Sequence, residues 1–132
     1  MVLVDANVLL DILTDDPQWA DWSAAKLEQA LPRGLAINAI IYGELAVGFH
    51  QEAELENALA LMDLKRLAVP YAAAFRAGHA FVEYRKRGGE RRSPLPDFII
   101  GAHALAEGMT LLTRDATRYR TYFPKLKLIA PD

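Results

Sequence analysis

A short apolar segment that ends at an acid opens the chain and constrains its fold more than any other feature. Residues 1–4 are aliphatic and too few for a helix, which is typical of a strand buried on both faces. Asp5 follows directly, and Asn7 precedes an apolar run that predicts a helix with an Asn cap. Open α/β sheets collect ligands at the carboxyl ends of their strands, where Asp5 lies. For one isolated Asp, a simple turn cap is the favoured interpretation.

Strands and helices alternate along the rest of the chain. Further strands are predicted at 35–38, 66–69, 110–113 and 126–129, and helices at 18–31, 39–49, 51–64, 71–87, 96–106 and 115–122. This alternation indicates right-handed β–α–β units and a mostly parallel sheet with helices on both faces, a three-layer α/β/α fold. Because the 132 residues contain no repeat or linker, we expect a single domain over residues 1–132.

Composition excludes several classes of protein. The chain has no cysteine, so it forms neither a disulfide framework nor a thiolate metal site. No apolar run approaches the ~18 residues of a membrane span. The N-terminus lacks the basic segment of a signal peptide. We therefore expect a cytoplasmic protein with no membrane association.

Basic residues cluster in a chain whose formal net charge is −2. The first cluster contains Arg85, Lys86, Arg87, Arg91 and Arg92 against the single Glu90, and the second contains Arg114, Arg118 and Arg120. Local basic stretches can bind a polyanion even in a mildly acidic protein. A solvated helix end or loop explains either cluster about equally well.

Three further acids occupy unusual positions. Glu44 interrupts an otherwise apolar helix after the second strand, where an ionised carboxylate needs a partner or a shifted pKa. Asp97 lies in the first turn of its helix, and Asp115 follows the fourth strand as Asp5 follows the first. Taken alone, Glu44 could face water, while Asp97 and Asp115 could serve only as favourable helix-start residues.

The acids gain significance as a group. If the first and fourth strands are neighbours, Asp5 and Asp115 flank one crevice, and nearby helix starts can aim Glu44 and Asp97 into it. Clustered carboxylates raise one another's pKa values unless a cation compensates. Mg²⁺, which takes oxygen ligands, meets that requirement.

Four short motifs occur in order along the chain, each of them once. They are Asp5-x-Asn7, Glu44 in its apolar helix, Pro96-Asp97-Phe98-Ile99-Ile100, and Thr113-Arg114-Asp115. Together they resemble a PIN domain over nearly the whole chain, and the short length resembles the VapC-type toxins of prokaryotic toxin–antitoxin pairs. The resemblance implies a five-stranded sheet of order 3-2-1-4-5 and a metal-dependent endoribonuclease. None of the acidic positions departs from the family pattern.

The resemblance also implies roles for individual residues. Asp5 and Asp97 are expected to be the principal ligands of Mg²⁺ or Mn²⁺, with Asp115 and Glu44 completing a catalytic cluster that hydrolyses RNA phosphodiester bonds. Asn7 and Thr113 are expected to hold the carboxylates in place, although ordinary capping explains them equally well. The candidates for RNA binding are Arg114 first, then Arg85, Arg91 and Arg92. The implied protein partners are a VapB-like antitoxin and a second copy of the chain.

Other functions remain as alternatives. A PIN-type nuclease of RNA processing would carry the same motifs. A haloacid-dehalogenase-like phosphatase needs a second Asp where this chain has Asn7, and a receiver-like signalling module needs an Asp after the third strand. A non-catalytic RNA-binding or interaction module would be expected to lose some of the acids.

Overall fold

Five short parallel strands form the centre of the structure, a computed structural model that describes residues 1–89 and 94–131. They are β1 (Val2–Val4), β2 (Leu35–Asn38), β3 (Leu64–Leu67), β4 (Thr110–Leu112) and β5 (Leu128–Ile129). Their order is β3-β2-β1-β4-β5, and every neighbouring pair is parallel. The predicted sheet and its strand order are confirmed.

The apolar opening segment is the central strand. Val2, Leu3 and Val4 have no exposed surface, and β1 pairs with β2 on one side and β4 on the other. A parallel strand covered on both faces favours a continuous β-branched and aliphatic run, which explains this local sequence. Asp5 therefore lies at the carboxyl end of the central strand.

Helices cover the sheet between the strands. They are α1 (Ala6–Leu13), α2 (Ala20–Ala30), α3 (Ala39–Ala46), α4 (Glu52–Ala60), α5 (Tyr71–Lys86), α6 (Leu95–Ala106) and α7 (Thr117–Tyr122), with a 3₁₀ turn at Leu31–Arg33. Right-handed crossovers place α1 to α4 on one face and α5 to α7 on the other. Helix α1 packs on α2, and α6 packs on both α5 and α7. Among the described residues, no helix is long and apolar enough to cross a membrane.

The two edges of the sheet differ from its interior. Strand β3 is predicted at 66–69 but occupies Leu64–Leu67. In this position all four of its residues pair with β2, from Leu64 opposite Leu35 to Leu67 opposite Asn38. Lys65 and Arg66 in β3 are exposed. At the other edge, β5 contains only two residues.

The starts of α1 and α2 also differ from the prediction, for local reasons. Asp5, not Asn7, is the N-cap of α1, and its Oδ1 accepts a hydrogen bond from the Ala6 N–H. Helix α2 begins at Ala20, not at residue 18, because Asp16 Oδ1 instead accepts the backbone N–H groups of residues 18 and 19 in a capped turn. The predicted helix ends at 49 and 64 also lie beyond the observed ends at Ala46 and Ala60.

Candidate active site

Asp5 is the most constrained acid of the site. Only 4% of it is exposed, and its Oδ2 accepts hydrogen bonds from the Thr113 hydroxyl at 2.9 Å and the Tyr119 hydroxyl at 3.0 Å. Burial raises the pKa of Asp5 from 3.8 to about 6; repulsion from Asp97 adds to this rise, while the two hydroxyl donors oppose it. The structure thus fixes this carboxylate in one orientation.

Thr113 and Asn7 connect Asp5 to the loop after β4. The Thr113 hydroxyl gives its single proton to Asp5 and accepts from the Asn7 amide at 3.3 Å and the Asp115 N–H at 3.2 Å. Asn7 Oδ1 accepts the Arg114 N–H at 3.1 Å. The side chain of Asn7 therefore forms hydrogen bonds to the loop that follows β4. This is the loop that a residue holding Asp5 and Asp115 in place would contact.

Glu44 combines burial with an unmet hydrogen-bonding requirement. It lies on α3, whose N-cap Asn38 accepts the Ile41 N–H at 2.9 Å. Glu44 Oε1 is buried, and none of the residues that the structure describes donates a hydrogen bond to it. Burial, followed by repulsion from Asp5 and Asp97, raises the pKa of Glu44 from 4.5 to about 7. A buried carboxylate oxygen without a donor is costly, so this atom is suited to receive a cation.

Asp97 lies in the first turn of α6 and is partly exposed. Its Oδ2 accepts a hydrogen bond from Arg118 Nη1 at 3.1 Å. Burial raises the pKa of Asp97, and repulsion from Asp115 adds to the rise, while the Arg118 guanidinium opposes it. Arg118 thus brings a positive charge directly to the acidic cluster.

Asp115 is the exposed member of the group. It lies between β4 and α7, and its Oδ1 accepts the Thr117 N–H at 3.4 Å. Its backbone N–H donates to Thr113, the same residue that donates to Asp5. Asp115 therefore lies at the solvent side of the crevice.

Pairwise electrostatic repulsion links the four predicted acids. Asp5 repels Asp97, Glu44 is repelled by both, and Asp97 is repelled by Asp115. Within the part of the chain that the structure describes, no group of three or more His, Asp or Glu side chains is placed so that it could hold a metal ion by itself. Mg²⁺ needs few protein ligands because it keeps several waters. Oxygen donors, mutual repulsion and the unpartnered Glu44 Oε1 therefore fit a hydrated divalent cation.

The predicted RNA-binding arginines have different surroundings. The guanidinium of Arg114 is bound to Asp11 and lies over the Trp19 ring, 5.4 Å from its centroid. Arg85 is exposed in the last turn of α5, with its guanidinium over Phe81. The other two predicted residues, Arg91 and Arg92, lie outside the described residues.

Sequence reasoning assigned no role at the acidic cluster to three residues of this region. Tyr119 reaches Asp5 from α7, Arg118 reaches Asp97, and Asp11 holds Arg114. Asp11 gave one signal, since it is an acid on the apolar helix α1 and only 2% exposed. Arg118 appeared only as a member of the second basic cluster, and Tyr119 gave no signal, because the contacts of both residues with the acids depend on how α7 packs.

Comparisons with known proteins agree with this fold. A family model described as PIN domain matches residues 2–124. Similar solved structures include VapBC2 from Rickettsia felis bound to a DNA fragment from its promoter, at 23% identity and TM-score 0.75, covering 100% of both chains. A toxin–antitoxin complex from Klebsiella pneumoniae has 25% identity and TM-score 0.67, covering 100% of this chain and 98% of that one.

A third similar structure is VapBC-1 from nontypeable Haemophilus influenzae, at 21% identity and TM-score 0.73, covering 98% of each chain. No curated protein matches the chain significantly.

Proposed function

The chain belongs to the PIN-domain family, a family of nucleases, and from this premise we propose that it is a Mg²⁺- or Mn²⁺-dependent endoribonuclease that acts as the toxin of a toxin–antitoxin pair. One observation carries the proposal. Glu44 Oε1 is buried and unpartnered among the described residues, and the Glu44 carboxylate is repelled by those of Asp5 and Asp97. Asp5 lies at the carboxyl end of the central strand. Such an arrangement of carboxylates is unfavourable without a cation, and with a bound divalent cation it can support phosphodiester hydrolysis.

We assign the cation to the four acidic side chains. Asp5 and Asp97 are the principal ligands, and Glu44 and Asp115 complete the cluster directly or through water. When bound, the divalent cation lowers the pKa of water and neutralises charge on the phosphate in the transition state. Thr113 and Tyr119 keep the Asp5 carboxylate oriented for this role.

The acidic crevice repels RNA, so a basic side chain close to it has to position the phosphate backbone. Arg118 is suited to this task, because it lies on Asp97 and 40% of its side chain is exposed. Arg114 is less suited, since Asp11 already engages its guanidinium. Arg85, Arg91 and Arg92 remain candidates for contacts farther along the RNA.

The toxin assignment rests on similarity. Similar solved structures are described as VapBC or toxin–antitoxin complexes. By analogy, this chain pairs with a small antitoxin that covers the acidic crevice, and forms a homodimer. A nuclease of RNA processing is the alternative, because the same site would serve it.

Cleavage of RNA by the purified protein tests the nuclease proposal. We expect cleavage with Mg²⁺ or Mn²⁺, none in EDTA, and a loss of at least about 100-fold in Asp5→Asn. Asp63→Asn is the matched control, because Asp63 is an exposed acid in the turn before β3. Cleavage that persists in EDTA and in Asp5→Asn would exclude a metal-dependent reaction at this site.

Expression in cells tests the toxin role separately. We expect growth arrest with the wild-type chain, none with Asp5→Asn, and rescue by the product of a small open reading frame directly upstream. RNA cleavage in vitro without growth arrest would favour the RNA-processing alternative.

A further inference from the structure

The hydrogen bonds of Asp5 leave its two carboxylate oxygens in different states. Oδ2 accepts two hydroxyl donors, Thr113 at 2.9 Å and Tyr119 at 3.0 Å. Oδ1 accepts one donor, the Ala6 N–H at 2.8 Å. A carboxylate has about four acceptor positions, two on each oxygen. With respect to residues 1–89 and 94–131, Oδ2 is therefore saturated, whereas Oδ1 retains one free position.

Among the described residues, Asp5 is the hydrogen-bond partner of the Tyr119 hydroxyl. Tyr119 is 2% exposed, so it cannot contact a large substrate. Its ring packs over Gly101 of α6, where an added Cβ would lie 2.9 Å from Tyr119 Cδ1. The absence of a side chain at Gly101 lets α7 approach closely enough for the hydroxyl to reach Asp5.

We propose that Tyr119 is a positioning residue that closes Oδ2 of Asp5, so that Asp5 offers a divalent cation only Oδ1. This inference rests on the proposed function, in which Asp5 is a cation ligand. A single-oxygen ligand suits Mg²⁺, which demands a near-ideal octahedron. Ca²⁺ tolerates a carboxylate bound through one oxygen or two. Tyr119 thus favours the smaller ion.

Tyr119→Phe tests the inference, because it removes one oxygen atom and keeps the ring. Tyr122→Phe is the matched control on the same helix, since the Tyr122 ring packs against Phe98 and Tyr84. Calorimetric titration with Mg²⁺ and with Ca²⁺ gives the dissociation constant of each ion for each protein. Steady-state RNA cleavage in Mg²⁺ then gives kcat and KM.

In Tyr119→Phe we expect the dissociation constant for Mg²⁺ to rise about tenfold or more. The constant for Ca²⁺ should rise by less than roughly threefold, because Ca²⁺ can use the freed Oδ2. We expect kcat at fixed Mg²⁺ to fall while KM for RNA stays unchanged, since Tyr119 does not reach the RNA. Tyr122→Phe should match the wild type in every measurement.

Three results would overturn the inference: unchanged affinity for both ions, equal losses for both ions, or a changed KM with unchanged kcat. The ratio of the two dissociation constants is informative even if the variant is less stable, because general loosening of the site weakens both ions together. Failure of the proposed function looks different. In that case the wild-type protein itself neither binds Mg²⁺ nor cleaves RNA.

Discussion

Arg114 and Asp11 form a two-pronged ion pair, with Arg114 Nε and Nη2 lying 2.9 and 3.0 Å from the two carboxylate oxygens of Asp11. The Asp11 side chain is only 3% exposed and also accepts the Ser23 hydroxyl at 2.8 Å. The pair joins the loop after β4 to α1, and Ser23 adds α2. Arg114 therefore anchors the loop that carries Thr113 and Asp115.

We predict that Arg114→Ala destabilises the fold by about 2–3 kcal/mol, because it leaves Asp11 buried without its cation. This is below the cost for a fully buried pair, since 33% of the Arg114 side chain is exposed. Urea unfolding measures the change. Arg120→Ala, which removes the same charge from an exposed position, should be near neutral. Equal stability of the two variants, with weaker RNA binding only in Arg114→Ala, would instead favour a direct role in RNA binding.

The metal-free protein should be more stable at pH 5 than at pH 8. Burial raises the pKa of Asp5 from 3.8 to about 6 and that of Glu44 from 4.5 to about 7. Between the ordinary and the raised pKa of each group, the folded state holds more protons than the unfolded state. The free energy of unfolding therefore falls as pH rises.

Unfolding in EDTA across this pH range checks that prediction. Glu44→Gln should remove about 1–2 kcal/mol of the fall between pH 5 and pH 8, a discounted figure because Glu44 is only half buried and solvent screens it in part. Mg²⁺ should also reduce the fall, because a cation favours the ionised carboxylates. Stability that rises from pH 5 to pH 8 in EDTA would contradict the prediction.

Gly101→Ala should displace α7 and destabilise the protein by about 1–3 kcal/mol. Its Cβ would lie 2.9 Å from Tyr119 Cδ1 and 3.0 Å from Phe123 Cδ2, and both rings are packed in the core. Gly78→Ala is the matched control, because an added Cβ there meets nothing within 4 Å. That helical substitution should stabilise the chain by about 0.5–1 kcal/mol. Thermal unfolding of both variants would show whether the effects have opposite signs, and equal effects would contradict the packing argument.

Asn38→Ala should lower stability by about 1–3 kcal/mol and reduce RNA cleavage. Asn38 caps α3, which carries Glu44, and its Nδ2 lies 2.9 Å from Nδ1 of the buried His103. Because Asn38 donates this hydrogen bond, His103 is neutral with its proton on Nε2. Asn57→Ala, an exposed change within α4, should leave both stability and cleavage near wild type. A fully active Asn38→Ala protein would show that the α3 cap does not control Glu44.

Much of the fold follows from the sequence because its signals are local. The apolar run before Asp5 identifies the central strand, and the second strand has the predicted bounds of Leu35–Asn38. The placement of Asp5 and Asp115 at the same end of the sheet follows from strand order, since they follow the neighbouring parallel strands β1 and β4.

The exceptions depend on contacts between distant residues. Asn7 has the sequence pattern of a helix cap, yet its side chain bonds to Thr113 and Arg114, more than a hundred residues away. Local propensity cannot reveal such a partner. Tyr119 is similar, because its contact with Asp5 requires the close packing of α7 on Gly101. These positions are set by tertiary packing.

The edges of the sheet affect how copies of the chain can associate. Exposed Lys65 and Arg66 occupy the β3 edge, and the β5 edge is only two residues long. Charged or very short edge strands resist the addition of a strand from another molecule, which is a common route to aggregation. Assembly of this protein with itself or with a partner is therefore expected to use helical surfaces and to leave the sheet five-stranded.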